Sequence, residues 1–119
     1  MKLLVYCAGP YTARTHEGEK KNVEIAEEWG KQVLEAGFVP IIPHKISSLW
    51  DYDERFSHWT NEDWLQRTCF PLLARCDILF LYTNWQASSG ARDEHQFALD
   101  NNMCICYSID ELKELSLLS

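Results

Sequence analysis

Residues 76 to 102 read Cys76-Asp-Ile-Leu-Phe-Leu-Tyr82, then Thr83-Asn-Trp-Gln-Ala-Ser88-Ser89-Gly90, then Ala91-Arg-Asp-Glu94-His-Gln-Phe-Ala-Leu-Asp-Asn-Asn102. The unbroken apolar run Ile78 to Tyr82, bounded by polar residues, has the pattern of a strand buried on both faces. Turn formers follow it. Ser88, Ser89 and Gly90 then open a segment of helical composition, and either serine can cap it by accepting a backbone N–H bond. Gly90 and Glu94 are four apart and share a helix face. A ligand could press on the bare backbone at Gly90 and meet the Glu94 carboxylate above it. The free N–H groups there would also hold an anion such as phosphate. A plain loop glycine and a carboxylate that complements the helix dipole fit the same residues.

Working outward, the other strands have the same two-sided apolar character. Leu3 to Cys7 is a strand that leaves sharply through Ala8-Gly9-Pro10-Tyr11-Thr12. Polar residues to about Gly18 read as a loop. Val23, Ile25, Ala26, Trp29, Val33 and Leu34 then make an amphipathic helix from about Glu19 to Ala36, stopped by Gly37. Phe38 to Ile42 is a strand ending at Pro43-His44. Thr60-Asn-Glu-Asp63 resembles a capping box, opening a helix to about Arg75 that Pro71 should kink or split. Met103 to Tyr107 is a further strand, and Ser108-x-x-Glu111 opens a short terminal helix. Strand and helix alternate throughout. That predicts an α/β three-layer sandwich, flavodoxin- or Rossmann-like, over one parallel sheet of four or five strands in the order 2-1-3-4. In such sheets ligands bind beyond the carboxyl ends of the strands, where the winding reverses. That crevice would collect Gly9, Pro10, Tyr11, Thr12, His44 and residues 84 to 94.

The segment Lys45 to Trp59 mixes Trp50, Tyr52, Phe56, His58 and Trp59 with Asp51, Asp53, Glu54 and Arg55. Such a stretch suits a lid that stacks on a flat ligand, and equally a short helix or a dimer surface; these readings are compatible.

A chain of 119 residues, 46% hydrophobic, fits one globular domain. A formal charge of −7 argues against a general nucleic-acid or anionic-membrane binder, because neutralising phosphates takes Lys and Arg. No apolar run has the length of a membrane span, and Met1-Lys2-Leu3 leads into a strand pattern and not a signal peptide. A cytoplasmic protein is the expectation. Five cysteines with no secretion signal favour free thiols, and the spacings of Cys104 with Cys106 and of Cys69 with Cys76 suit buried packing. No Cys-x-x-Cys or His-x-x-x-His pair points to zinc, so no metal and no cofactor are expected.

Three blocks resemble the nucleoside 2-deoxyribosyltransferase superfamily, which includes nucleoside 5'-monophosphate N-glycosidases. They are Tyr6-Cys-Ala-Gly9-Pro10-Tyr11, Pro40-Ile-Ile-Pro43-His44, and Cys76-Asp77 through Ser88-Ser89-Gly90-Ala91-Arg-Asp-Glu94 to Ala98. The resemblance implies a nucleophile at Glu94, a site-lining tyrosine at Tyr6, a homo-oligomer with shared sites, and a small nucleoside or nucleotide as substrate. It implies a phosphate contact at Ser88, where transferases acting on free nucleosides tend to carry an acid. The chain departs from the pattern at Cys69, where the resemblance leads one to expect an aspartate that orients the sugar and the leaving base. Asp63, six residues earlier, could substitute only if the Pro71 kink reshapes the helix.

The implied chemistry is attack by Glu94 on C1', departure of the base, and capture of the glycosyl ester by water or a second base. Tyr6 would position the carboxylate, which a helix N-terminus should keep ionised. A first-turn carboxylate of that kind should matter little to stability. A non-catalytic nucleotide-binding module is the rival reading. A phosphoacceptor receiver lacks its acid pair after the first strand, and a flavoprotein lacks its Ser/Thr-rich phosphate loop.

Overall fold

The computed structural model describes residues 2–47 and 50–118; expectations for Met1 and for Ser48 and Leu49 of the aromatic stretch lie outside the described residues. The strands β1 (Leu4–Ala8), β2 (Val39–Ile41), β3 (Ile78–Leu81) and β4 (Cys104–Cys106) form one sheet. Every pairing is parallel and the order is 2-1-3-4, as the alternation predicts. Among the described residues the sheet has four strands and no fifth.

Helices cover both faces. They are α1 (His16–Glu35), α2 (Pro43–Ser47), α3 (Asn61–Trp64), α4 (Phe70–Ala74), α5 (Ser89–Asp100) and α6 (Ile109–Leu118). Side chains alternate across a strand, so β1 and β3 serve two cores. Val5, Cys7, Phe80 and Tyr82 pack with Ala26 and Val33 of α1 and Leu112 of α6. Tyr6, Ala8, Leu79 and Leu81 pack with Leu73 of α4 and with Ala91 and Ala98 of α5. Each such fully buried aliphatic side chain stabilises the fold by about 1.5–3 kcal/mol. The alternation also turns Tyr6 toward α5, the helix that carries Glu94.

The helix ends follow local chemistry. α1 starts at His16, three residues before the expected Glu19, because Thr15 accepts the Gly18 N–H at 3.0 Å and caps it. It ends in a Schellman motif: Gly37 takes φ +100°, its N–H reaches the Leu34 carbonyl, and the Phe38 N–H reaches that of Val33. A side chain at position 37 would be strained there, which is why the stop is a glycine.

Pro71 splits its helix, as expected, by an identifiable device. α3 passes into a π-helical turn, Leu65–Cys69, in which the Phe70 N–H bonds to the Leu65 carbonyl five residues back. Pro71 has no N–H, and its ring would clash with the carbonyl four residues earlier. The wider turn relieves that clash, and α4 then restarts with Pro71 near its beginning.

The described residues of the 45–59 stretch include short pieces: the end of α2 and two 3₁₀ turns, Trp50–Tyr52 and Glu54–Phe56. The cysteines follow the expected packing only in part. Cys7, Cys76 and Cys106 are buried, but Cys69 is half-buried and Cys104 is exposed on the edge strand. No helix among the described residues is long and apolar enough to cross a membrane.

Candidate functional site

A cleft of about 680 Å³ opens beyond the carboxyl ends of the strands. Three loops frame it, one from each of β1, β2 and β3. The first brings Gly9, Pro10, Tyr11 and Thr12; the second brings Pro43 and His44; the third brings Ser88, Ser89 and Gly90, with Glu94 one turn further along α5. Gly9 has to be a glycine: a Cβ there would lie 2.1 Å from the Tyr82 ring. Gly90 has the opposite setting, since a Cβ would meet nothing closer than the Ser88 hydroxyl oxygen at 3.9 Å. The bare backbone at Gly90 therefore borders open cleft.

The fourth wall is aromatic. Tyr52, Phe56, Trp59 and Trp64 line the cleft, and Phe56, Trp59 and Trp64 pack on one another with ring centroids 4.8–5.5 Å apart. The Tyr52 hydroxyl donates to the Glu19 carboxylate of α1, and His16 meets the Tyr52 ring edge-on, tying this wall to the opposite side of the cleft.

At the inner end, the Tyr6 hydroxyl donates a hydrogen bond to Glu94 Oε2. Tyr6 is fully buried on β1, and Glu94 is only 6% exposed although it lines the cleft. Burial pushes the Glu94 carboxyl up to about 7, against the pull of the Tyr6 hydrogen bond and with help from the neighbouring Asp93 charge. The expectation of a permanently ionised carboxylate is thus corrected. Glu94 stands past the first turn of α5, so the helix N-terminus does little for its charge, and loss of water around it raises the carboxyl.

Ser88 is the N-cap of α5. Its hydroxyl oxygen accepts the Ala91 N–H at 3.1 Å, leaving its own O–H free to donate. Ser89 and Gly90 head the helix, where N–H groups have no carbonyl partner within the helix. His44 packs against Tyr11 with the rings tilted by 37° and their centroids 5.1 Å apart. Burial lowers its pKa to about 4, against a hydrogen bond with the Gly9 backbone, so the ring is neutral near pH 7. Its Nδ1 is buried and without a hydrogen-bond partner.

A family model described as Domain of unknown function (DUF4406) matches residues 3–107. The chain belongs to this family. The match runs from the start of β1 past the end of β4, so the whole cleft lies within the family domain and only α6 falls beyond it. No curated protein matches the chain.

Two candidates of this DUF4406 domain stay off the cleft lining: Tyr6, expected to line the site, is fully buried and meets it only through Glu94, and the fold places Asp63 elsewhere. It closes a capping box with Thr60, accepting the Thr60 N–H at 2.8 Å while the Thr60 hydroxyl accepts its own N–H at 3.2 Å. Those bonds hold its carboxyl below the usual range. It does not line the cleft. The π turn after α3 reshapes the helix, but it is Cys69 that this brings to the cleft, beside the Tyr6 hydroxyl.

The carboxylates Glu19, Glu62 and Asp93, and Asn61 and Leu65, also line the cleft without having been singled out in the sequence. Their signal was weak, because each sits in an ordinary amphipathic or capping pattern. Among the described residues, no three His, Cys, Asp or Glu side chains are grouped to hold a metal.

Proposed function

We propose that this domain cleaves the N-glycosidic bond of a nucleoside or nucleoside 5'-monophosphate, with Glu94 as nucleophile. The observation that carries the reading is the Tyr6–Glu94 pair: a buried carboxylate bonded to a buried tyrosine, exposed to ligand only through a cleft walled by aromatic rings. A Glu94 oxygen attacks C1', the C1'–N bond breaks, and its electron pair leaves with the base, which takes a proton from solvent. Water, or a second base, then displaces the sugar from Glu94. The aromatic wall supplies faces for a flat base to stack on, and the α5 start supplies donors for sugar or phosphate oxygens.

The measurement is release of free base from a panel of deoxynucleosides and their 5'-monophosphates. Wild-type protein releases base, and Glu94→Gln loses at least about a thousandfold in rate, since Asp93, its neighbour in the lining, lies about 100° round the helix and lacks the Tyr6 partner. The rate rises with pH through about 7 as Glu94 ionises. Turnover by the variant at a comparable rate removes Glu94 from the mechanism.

Cys69 favours a second reading. A thiol beside Tyr6, where the resemblance leads one to expect an orienting aspartate, fits a nucleotide-binding module without chemistry. Ligand binding with no base release by wild type selects that reading. A homo-oligomer, a cytoplasmic location and no nucleic-acid partner complete the proposal, the last supported by the net charge of −7.

A further inference from the structure

Counting charges around the cleft gives a one-sided result. Among the described residues Glu19, Glu62, Asp93 and Glu94 line it, and no lysine or arginine does. Among the described residues the ion pair is Lys45 with Glu27, and neither of these lines the cleft. Arg67 also stays off the lining, its guanidinium stacked 4.7 Å over the Trp59 ring. The one basic side chain in the lining, His44, is held neutral by burial. Glu19 and Glu62 accept hydrogen bonds from neutral partners, Tyr52 and Gln66, which leave their charge in place.

We propose, resting on the reading above, that the cleft selects an uncharged ligand rich in hydrogen-bond donors: a free nucleoside in preference to its 5'-monophosphate. A monophosphate would bring one and a half to two further negative charges among these carboxylates. What favours an anion is the start of α5, equivalent to about half a positive charge. One of its N–H donors, that of Ala91, is already taken by the Ser88 oxygen, which leaves the Ser88 O–H and the remaining N–H groups. The carboxylates outweigh it. Sugar hydroxyls and a base amino group meet the opposite situation. They donate, and the cleft offers acidic oxygens to receive them.

The test is titration calorimetry with four 2'-deoxynucleosides and their 5'-monophosphates at pH 7.5, alongside base release from the same compounds. Each nucleoside binds at least about tenfold more tightly than its monophosphate, and the ratio shrinks as salt is raised from 0.05 to 0.5 M, because screening relieves like-charge repulsion. The double variant Glu62→Gln with Asp93→Asn narrows the ratio further. A monophosphate that binds as tightly or more tightly overturns this inference, and base release from it still upholds the N-glycosidase reading. Binding in the predicted order with no base released upholds the selectivity and overturns the catalysis. Failure of all eight compounds to bind overturns both.

Discussion

Glu94 is the sixth residue of α5, past the first turn within which the helix dipole favours a charged carboxylate, and its burial raises the carboxyl to about 7. That shift has a thermodynamic consequence whether or not the protein is an enzyme. An unfolded glutamate titrates near 4.5 and the folded one near 7, so between those values the folded state holds more protons. Stability contributed at this position is complete below about pH 4.5, falls as pH rises, and levels off above about 7. Glu94→Gln removes the ionisation while its side-chain oxygen can still accept the Tyr6 proton. The variant should therefore match wild type near pH 4.5 and exceed it at pH 8 by on the order of 3 kcal/mol, read as denaturation midpoints across pH. Equal stability of the two proteins at pH 8 would mean Glu94 reaches solvent. The sequence alone led to the reverse expectation, a first-turn carboxylate of little weight. It could show that Glu94 shares a helix face with Gly90, because that spacing is local. It could not show that Tyr6 and α5 together strip water from the carboxylate, because that sums contacts between residues 88 apart.

At the scale of elements, the strands and their order were legible because both signals are local: two-sided apolar runs and their alternation with helical patterns. The loops that frame the cleft were legible for the same reason, since Gly9-Pro10 and Ser88-Ser89-Gly90 can hardly be anything but strand exits and helix starts. The helical side of the cleft that carries Cys69 was not. Pro71 announced a disturbance in its helix, but whether a proline gives a kink, a break or a π turn depends on how neighbouring side chains fill the space. That choice decides that Cys69 lines the cleft, whereas the bonds of Asp63 to Thr60 were legible as a local capping box. Helix α5 carries a prediction of its own. Gly90 lies in the first turn beside open cleft, so Gly90→Ala should leave the fold intact or raise its stability by up to about 1 kcal/mol through helix propensity. The added methyl would stand where a ligand must approach, and affinity for any nucleoside or nucleotide ligand should drop at least about tenfold. A variant that gained stability and kept its affinity would move the ligand away from the α5 start.

The molecule as a whole distributes five thiols over three environments, and that distribution tests sheet and cleft in one experiment. Cys7 and Cys106 lie in the core shared with α1 and α6, and Cys76 in the core shared with α4 and α5. Burial raises the first two to about 12 and Cys76 to about 11, so each is shielded from reagent and almost without thiolate at pH 8. Cys104 is exposed on the edge strand, and Cys69 is half-buried in the cleft wall. An aromatic disulfide reagent applied to native protein at pH 8 should therefore titrate Cys104 at once and Cys69 more slowly. The other three should stay silent until denaturant is added. Cys104→Ser should delete the fast phase, and Cys69→Ser the slow one. A ligand seated in the cleft should slow the Cys69 phase alone, because Cys104 lies on β4, which contributes nothing to the lining. Prompt reaction of a third thiol would mean that one face of the sheet is open. Protection of Cys104 by ligand would place the binding site at the sheet edge and remove it from the strand ends. Three silent thiols with a Cys69 that ligand does not protect would leave the fold standing and shift the ligand toward the α5 side of the cleft, away from the π turn.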